Sequence, residues 1–223
     1  FVIDDFTNRA MDYIEDHKEE SFFVYLPYCT PHSPMQVPDQ WWKKFENHNL
    51  PLRARKDQPE TVSHARAALA MCENIDWNVG RLMKKLDDLK IAENTIVIYF
   101  SDNGPNGYRW NADMKGKKGA VDEGGVRSPF FIRWPERIKA GRKTDIIAGS
   151  IDLKPTLLDL AGITDTGALA MDGVSLKPLL FDDAKNWPER LYINHFKACV
   201  FLHVMSFYSF RFRSIKQRAR KNI

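Results

Sequence analysis

The segment from Glu60 to Lys90 constrains the fold more than any other. Ala65, Leu69, Cys72, Ile75, Val79, Leu82, Leu86 and Leu89 recur among charged residues, about every 3.5 positions, which predicts a long amphipathic helix with one face against a core. Short apolar runs lie on either side, Phe22–Leu26 and Thr95–Phe100. Because they are continuously apolar rather than alternating, they predict strands covered on both faces, as in a parallel sheet flanked by helices. Phe130–Trp134, stopped by Pro135, and the shorter Ile146–Ala148 predict two more strands, and Asp152–Leu160 a helix closed by Gly162. Thr7 is placed as a helix cap ahead of Ala10, Met11 and Ile14, and Asp39 as the cap of a short helix through Trp41, Trp42 and Phe45. Strands that alternate with helices define an α/β class with a mostly parallel sheet, in which ligands bind at loops on the carboxyl ends of strands.

A chain of 223 residues, 43% apolar and 28% charged, suits one core of ordinary size. The formal charge of +4 does not describe the body of the protein: Lys197–Ile223 holds seven Lys or Arg and no acid, leaving the preceding 196 residues at −3. This tail mixes an aromatic run with a basic one and shows no regular period, so it reads either as a truncated or misassigned end or as a basic anchor for anionic surfaces or nucleic acid. Elsewhere nothing suggests a nucleic-acid partner. Cys29, Cys72 and Cys199 fit neither a zinc pattern nor a disulfide framework. No run reaches the roughly 18 apolar residues of a transmembrane helix. With Phe1 where an initiator would stand, the chain reads as starting within a longer protein.

Three polar loops concentrate chemistry suited to an anion beside a cation. Thr30-Pro31-His32-Ser33-Pro34 follows the first apolar run, and Asn47–Pro59 is read as a surface loop. His32 in its proline-flanked setting is suited to hydrogen-bond an anionic oxygen or shuttle a proton; histidines 17, 48, 64, 195 and 203 lack such a setting. Asp102-Asn103-Gly104 ends the second strand and offers a carboxylate and an amide oxygen, hard donors suited to calcium or magnesium, or else a plain strand-ending turn. Lys115–Arg127 is glycine-rich, and Lys118, between Gly116 and Gly119, is suited to act as a point charge on a sulfate or phosphate oxygen. Between the last two loops, Arg109, Trp110 and Asn111 carry the hydrogen-bonding and stacking groups that a sugar needs, or else a packed loop.

In this order, FFVYLPYCTPHSPMQVP (22–38), IDWNVG (75–80), TIVIYFSDNGP (95–105), GKKGAVDEGGVRSPFFIRWP (116–135) and Ile151–Gly162 resemble the sulfatase family of the alkaline-phosphatase superfamily, over about Asp4–Leu180. The resemblance implies that residues 1–190 are the later part of a sulfatase catalytic domain and 191–223 an atypical tail. It implies that Asp102 and Asn103 are calcium ligands, that His32 and Lys118 contact the sulfate group as catalytic and substrate-binding residues, and that Glu123, Gly124, Gly125 and Arg127 form a turn of mainly architectural role. A formylglycine nucleophile, made in such enzymes from a CxPSR-type motif, is not encoded here, since Cys29 lacks the Pro-Ser-Arg; the 223 residues alone are therefore expected to be inactive. The implied activity is calcium-dependent hydrolysis of a sulfate ester on a carbohydrate or aryl substrate, in a secreted, periplasmic or lysosomal setting. The alternatives are a phosphomonoester or phosphodiester hydrolase of the same superfamily and a non-catalytic, anion-binding remnant.

Overall fold

The computed structural model describes residues 1–50, 59–164, 167, 169–181, 187 and 190, with the backbone of 192–194 and 213–215. The chain divides into two compact units, residues 1–118 with 122–136 and residues 119–121 with 137–223. Most of the basic tail and residues 51–58 of the expected surface loop lie outside the described residues. No helix among the described residues is long and apolar enough to cross a membrane.

The first unit begins with three helices, α1 (Val2–Asp16), α2 (Asp39–Phe45) and α3 (Val62–Asp88). Thr7 is not a cap. It is fully buried within α1 and its hydroxyl donates to the Ile3 carbonyl at 2.7 Å, the back-bond to the preceding turn that lets threonine sit inside a helix. Asp39 is likewise the first residue of α2, and its side chain makes no capping bond.

The long helix predicted around Glu60–Lys90 is present as α3, with a different buried face from the one its periodicity suggested. Leu69 and Cys72 are exposed, while Ala67, Ala68, Ala70 and Met71 are buried with Asn74 and Asn78. Buried amides need partners, and the Asp4 carboxylate on α1 supplies one: its Oδ1 accepts from Asn74 Nδ2 at 3.0 Å and Asn78 Nδ2 at 2.7 Å. A polar seam thus runs through the α1–α3 contact. Beside it Ile14, Leu86 and Ala92 form a dry core, against which Phe22, Val24, Leu82, Leu89 and Val97 pack.

Sheet formation departs from the sequence reading. β1 (Val97–Phe100) pairs with β2 (Phe130–Arg133) in antiparallel register, Val97 opposite Arg133 and Phe100 opposite Phe130. In the second unit β3 (Tyr192–Asn194) pairs with β4 (Arg213–Ile215), also antiparallel. Among the described residues the expected parallel pairing is therefore replaced by antiparallel ladders. A continuous apolar run reports burial and carries no information on which way its neighbour runs. Phe22–Leu26 enters no ladder among the described residues. Its burial alternates, Phe22 and Val24 facing the core and Phe23 and Tyr25 exposed, the period of an extended chain covered on one face. Residues 146–148 form no strand.

The remaining element of the first unit is the short α4 (Glu123–Val126). In the second unit a 3-10 turn, Ser150–Asp152, runs into α5 (Leu153–Leu160), and Gly162 at φ +70° follows it as predicted. The Asp152 side chain is fully buried and accepts four hydrogen bonds: from Arg190 Nη1 at 2.7 Å and Nη2 at 2.5 Å, and from the backbone N–H of Gly149 at 2.9 Å and Val174 at 3.0 Å. α6 (Lys177–Leu180) is tied to α5 through Thr156, whose hydroxyl accepts from the Leu176 N–H at 2.8 Å.

Candidate functional site

Asp102-Asn103-Gly104 sits where β1 ends, and two backbone contacts define its shape. The Ser101 carbonyl accepts from the Ser128 hydroxyl at 2.6 Å, and the Gly104 N–H donates to the Gly125 carbonyl at 2.9 Å. Gly104 and Gly124 are in such close contact that a Cβ on Gly104 would lie 1.8 Å from the Gly124 carbonyl oxygen. A Cβ on Gly124 would in turn lie 2.5 Å from the Gly116 oxygen. The Glu-Gly-Gly turn is therefore the floor under the Asp-Asn-Gly loop, a packing role of the kind the resemblance implied. The exposed Arg127–Glu123 pair, 3.2 Å apart one helical turn away, braces that floor only lightly.

Asp102 and Asn103 are adjacent residues that offer a carboxylate and an amide oxygen. Asp102 is exposed, and Asn103 donates from Nδ2 to the Gly104 carbonyl at 2.9 Å. That bond assigns the amide, leaving Oδ1 as the acceptor. No group of three or more acidic, histidine or cysteine residues that could hold a metal ion occurs among the described residues.

Lys118 is brought to this loop through its backbone, whose N–H donates to the Pro105 carbonyl at 2.9 Å. The bond closes residues 105–118 into one excursion. Three lysines follow one another here, and the structure separates them. Lys115 pairs with Asp122 at 3.1 Å and Lys117 lies 4.5 Å from the Tyr108 ring centroid, whereas no ion pair among the described residues uses the exposed Lys118 ammonium.

His32 lies on a separate loop that is anchored from below. Tyr28 and Thr7 share a 2.6 Å hydroxyl contact. Since Thr7 already donates to Ile3, Tyr28 is the donor. Burial pushes the Tyr28 phenol above its ordinary pKa, against the opposing bond to Thr7, so the phenol keeps the proton it donates. Tyr28→Phe is expected to cost about 0.5–1.5 kcal/mol in urea unfolding while leaving calcium binding intact. His32 is exposed at the turn, and its Nδ1 is 2.7 Å from the Ser33 carbonyl. A carbonyl only accepts, so Nδ1 carries a proton and Nε2 is the nitrogen open to a ligand.

The three residues expected to meet a sugar separate. Trp110 is 65% exposed. Asn111 is buried, donating from Nδ2 to the Gly116 carbonyl at 3.3 Å; it is a strut of the glycine turn, because the chain folds back over it. Arg109 is half-buried, and its Nη2 lies 3.2 Å from His64 Nδ1 and donates to the Asn106 carbonyl at 3.0 Å. Burial draws its pKa below the ordinary arginine value, opposed by nearby Cys72 and Glu60. His64 is the residue the sequence reading passed over. It stands in the first turn of α3, 45 residues from its partner, and no local pattern marks that distance.

The chain is similar to known proteins over most of its length. Residues 3–163 match the profile of the Sulfatase family, and residues 116–217 that of the N-sulphoglucosamine sulphohydrolase C-terminal family. The chain is 29% identical over 197 residues to the uncharacterized sulfatase YdeN of Escherichia coli, covering 85% of this chain and 33% of that protein. It is 31% identical over 173 residues to an N-acetylgalactosamine-6-O-sulfatase of Bacteroides thetaiotaomicron, covering 71% of this chain and 30% of the relative. Among solved structures, Ps i-CgsB in complex with k-i-k-neocarrahexaose superposes with a TM-score of 0.70 at 28% identity, over 82% of this chain and 39% of that one. The chain thus spans about a third of the length of the curated relatives it matches, and its fold is the α/β fold of the structures it superposes on.

Proposed function

Since the chain belongs to the sulfatase family, we propose that it supplies the metal-binding and sulfate-contacting side of a sulfuric ester hydrolase acting on a sulfated carbohydrate. The observation that carries this is the Lys118 N–H bond to the Pro105 carbonyl. It brings the backbone of Lys118, whose ammonium makes no ion pair among the described residues, to the loop that carries Asp102 and Asn103.

Asp102 and Asn103 would hold calcium, or magnesium, in a sphere completed by other oxygens, and their donor chemistry fits a hard cation. Such an ion would offset negative charge on the sulfate oxygens. Lys118 would bind a sulfate oxygen as a point charge, oriented by its glycine-flanked backbone. His32 would meet the sulfate or the leaving oxygen through Nε2. With Nδ1 committed to Ser33, a neutral ring can only accept there, and the ring donates to an anion as imidazolium. By family resemblance the nucleophile would be a formylglycine, a role given to none of the residues named here.

A sulfated sugar is favoured by the exposed Trp110 beside the cationic Arg109, and by the sugar sulfates named for the relative and the second family profile. The sulfatase relatives also favour sulfate over phosphate esters.

Thermal unfolding with calcium tests the reading. Saturation at about 100 times Kd is expected to add about 2.7 kcal/mol of stability, and Asp102→Ala or Asn103→Ala to remove that gain. Lys118→Ala should keep the calcium response and lose affinity for a sulfated sugar. Unfolding that ignores calcium would count against the assigned ligands.

A further inference from the structure

We propose that His64 is a positioning residue for Arg109, and that this pair makes the loop between Pro105 and Lys118 select sugars carrying a second anionic group beyond the sulfate to be cleaved. This rests on the reading of Lys118, Asp102 and Asn103 as the sulfate end of the site.

The connection is geometric first. The Lys118–Pro105 bond joins both ends of the excursion to the proposed sulfate end. Arg109 is four residues beyond Pro105, so its Cα lies within roughly 14 Å of it even on a fully extended path. A second anionic substituent on the same saccharide is the kind of group that Arg109 meets at that remove.

The chemistry of the contact follows from what each partner can do. A guanidinium only donates, so His64 Nδ1 accepts from Arg109 and the ring proton sits on Nε2. The two hydrogen bonds of Arg109 both use Nη2, to His64 and to the Asn106 carbonyl. Among the described residues Nε and Nη1 have no protein partner, and neither is among the buried polar atoms left without one. Half of the fork is pinned and the other half is open to solvent.

Both pinning groups are neutral acceptors, and no carboxylate contacts the guanidinium among the described residues. Cys72 and Glu60 are the titratable groups whose charge reaches it. An arginine kept half-buried without a contacting counter-ion is a pre-oriented cation whose charge is left for a ligand, and its fork matches a carboxylate or sulfate in bidentate fashion. Trp110, 65% exposed at the next position, supplies a flat apolar face for the ring that bears such a group.

Binding of N-acetylgalactosamine 4,6-disulfate and of the 6-monosulfate, measured by calorimetry in calcium on the 223-residue chain, tests the pair. The disulfate is expected to bind about tenfold more tightly. His64→Leu should erase that preference and leave monosulfate affinity unchanged, and Arg109→Gln should erase it as well. His64→Gln, whose amide oxygen also accepts from the guanidinium, should restore it. Uniform weakening toward both sugars, or a preference that survives His64→Leu, overturns the proposal. If Lys118→Ala leaves both affinities unchanged, it is the sulfate-site reading that has failed, whatever His64 does.

Discussion

Asp152→Ala is expected to destabilise the second unit by about 3–5 kcal/mol, the cost of breaking a buried charge pair and stranding its partner. Asp152 is fully buried and both of its oxygens are taken twice, once by the Arg190 fork and once by a backbone N–H. Burial alone would raise the carboxyl's pKa. The bonds from Arg190, Val174 and Gly149, with the charge of Arg190, outweigh that and hold it below the ordinary aspartate value. A depressed folded pKa contributes stability that is fully present above the unfolded value, near 3.9, and that fades as pH falls below it through the folded pKa. Wild-type unfolding free energy should therefore drop steeply below about pH 4, and Asp152→Asn should flatten that limb while starting lower. Urea titrations across this range read both effects; an alanine variant as stable as wild type would remove the pair from the account of this unit.

Gly104→Ala is expected to cost more than about 3 kcal/mol and to abolish the calcium response together with it. The added methyl would sit 1.8 Å from the Gly124 carbonyl oxygen, backbone against backbone, where no side-chain rotation can relieve the overlap. The floor must move away, and the Gly104–Gly125 hydrogen bond that aims Asp102 and Asn103 breaks with it. Gly107→Ala is the control. Its φ of +100° makes the substitution strained, but no atom lies within 4 Å of a Cβ there, so it should cost stability without removing the calcium gain. Calorimetric unfolding of the two variants with and without calcium separates a collapsed floor from a strained turn.

Much of this protein was legible in its residues. The α3 helix, the ends of β1 and β2 at Phe100 and Phe130, and the α5 helix with Gly162 after it follow from periodicity, apolar runs and glycine conformation, which are properties of a chain with its near neighbours. Asp102, Asn103, Lys118 and His32 are proposed as site residues on the same kind of local ground, because each stands in a short segment whose composition limits what it can do.

What the sequence could not decide were relations between segments far apart along the chain. Thr7 looks like a cap until Ile3 and Tyr28 are seen on either side of its hydroxyl. Strand direction, the burial of Asn111, the grip of Arg190 on Asp152 and the contact of His64 with Arg109 all join residues whose local patterns are silent about one another. A residue's type and its neighbours determine which bonds it is able to make. Only the tertiary structure determines which partner arrives, because that depends on how the whole chain buries its apolar faces and satisfies the polar groups it takes with them.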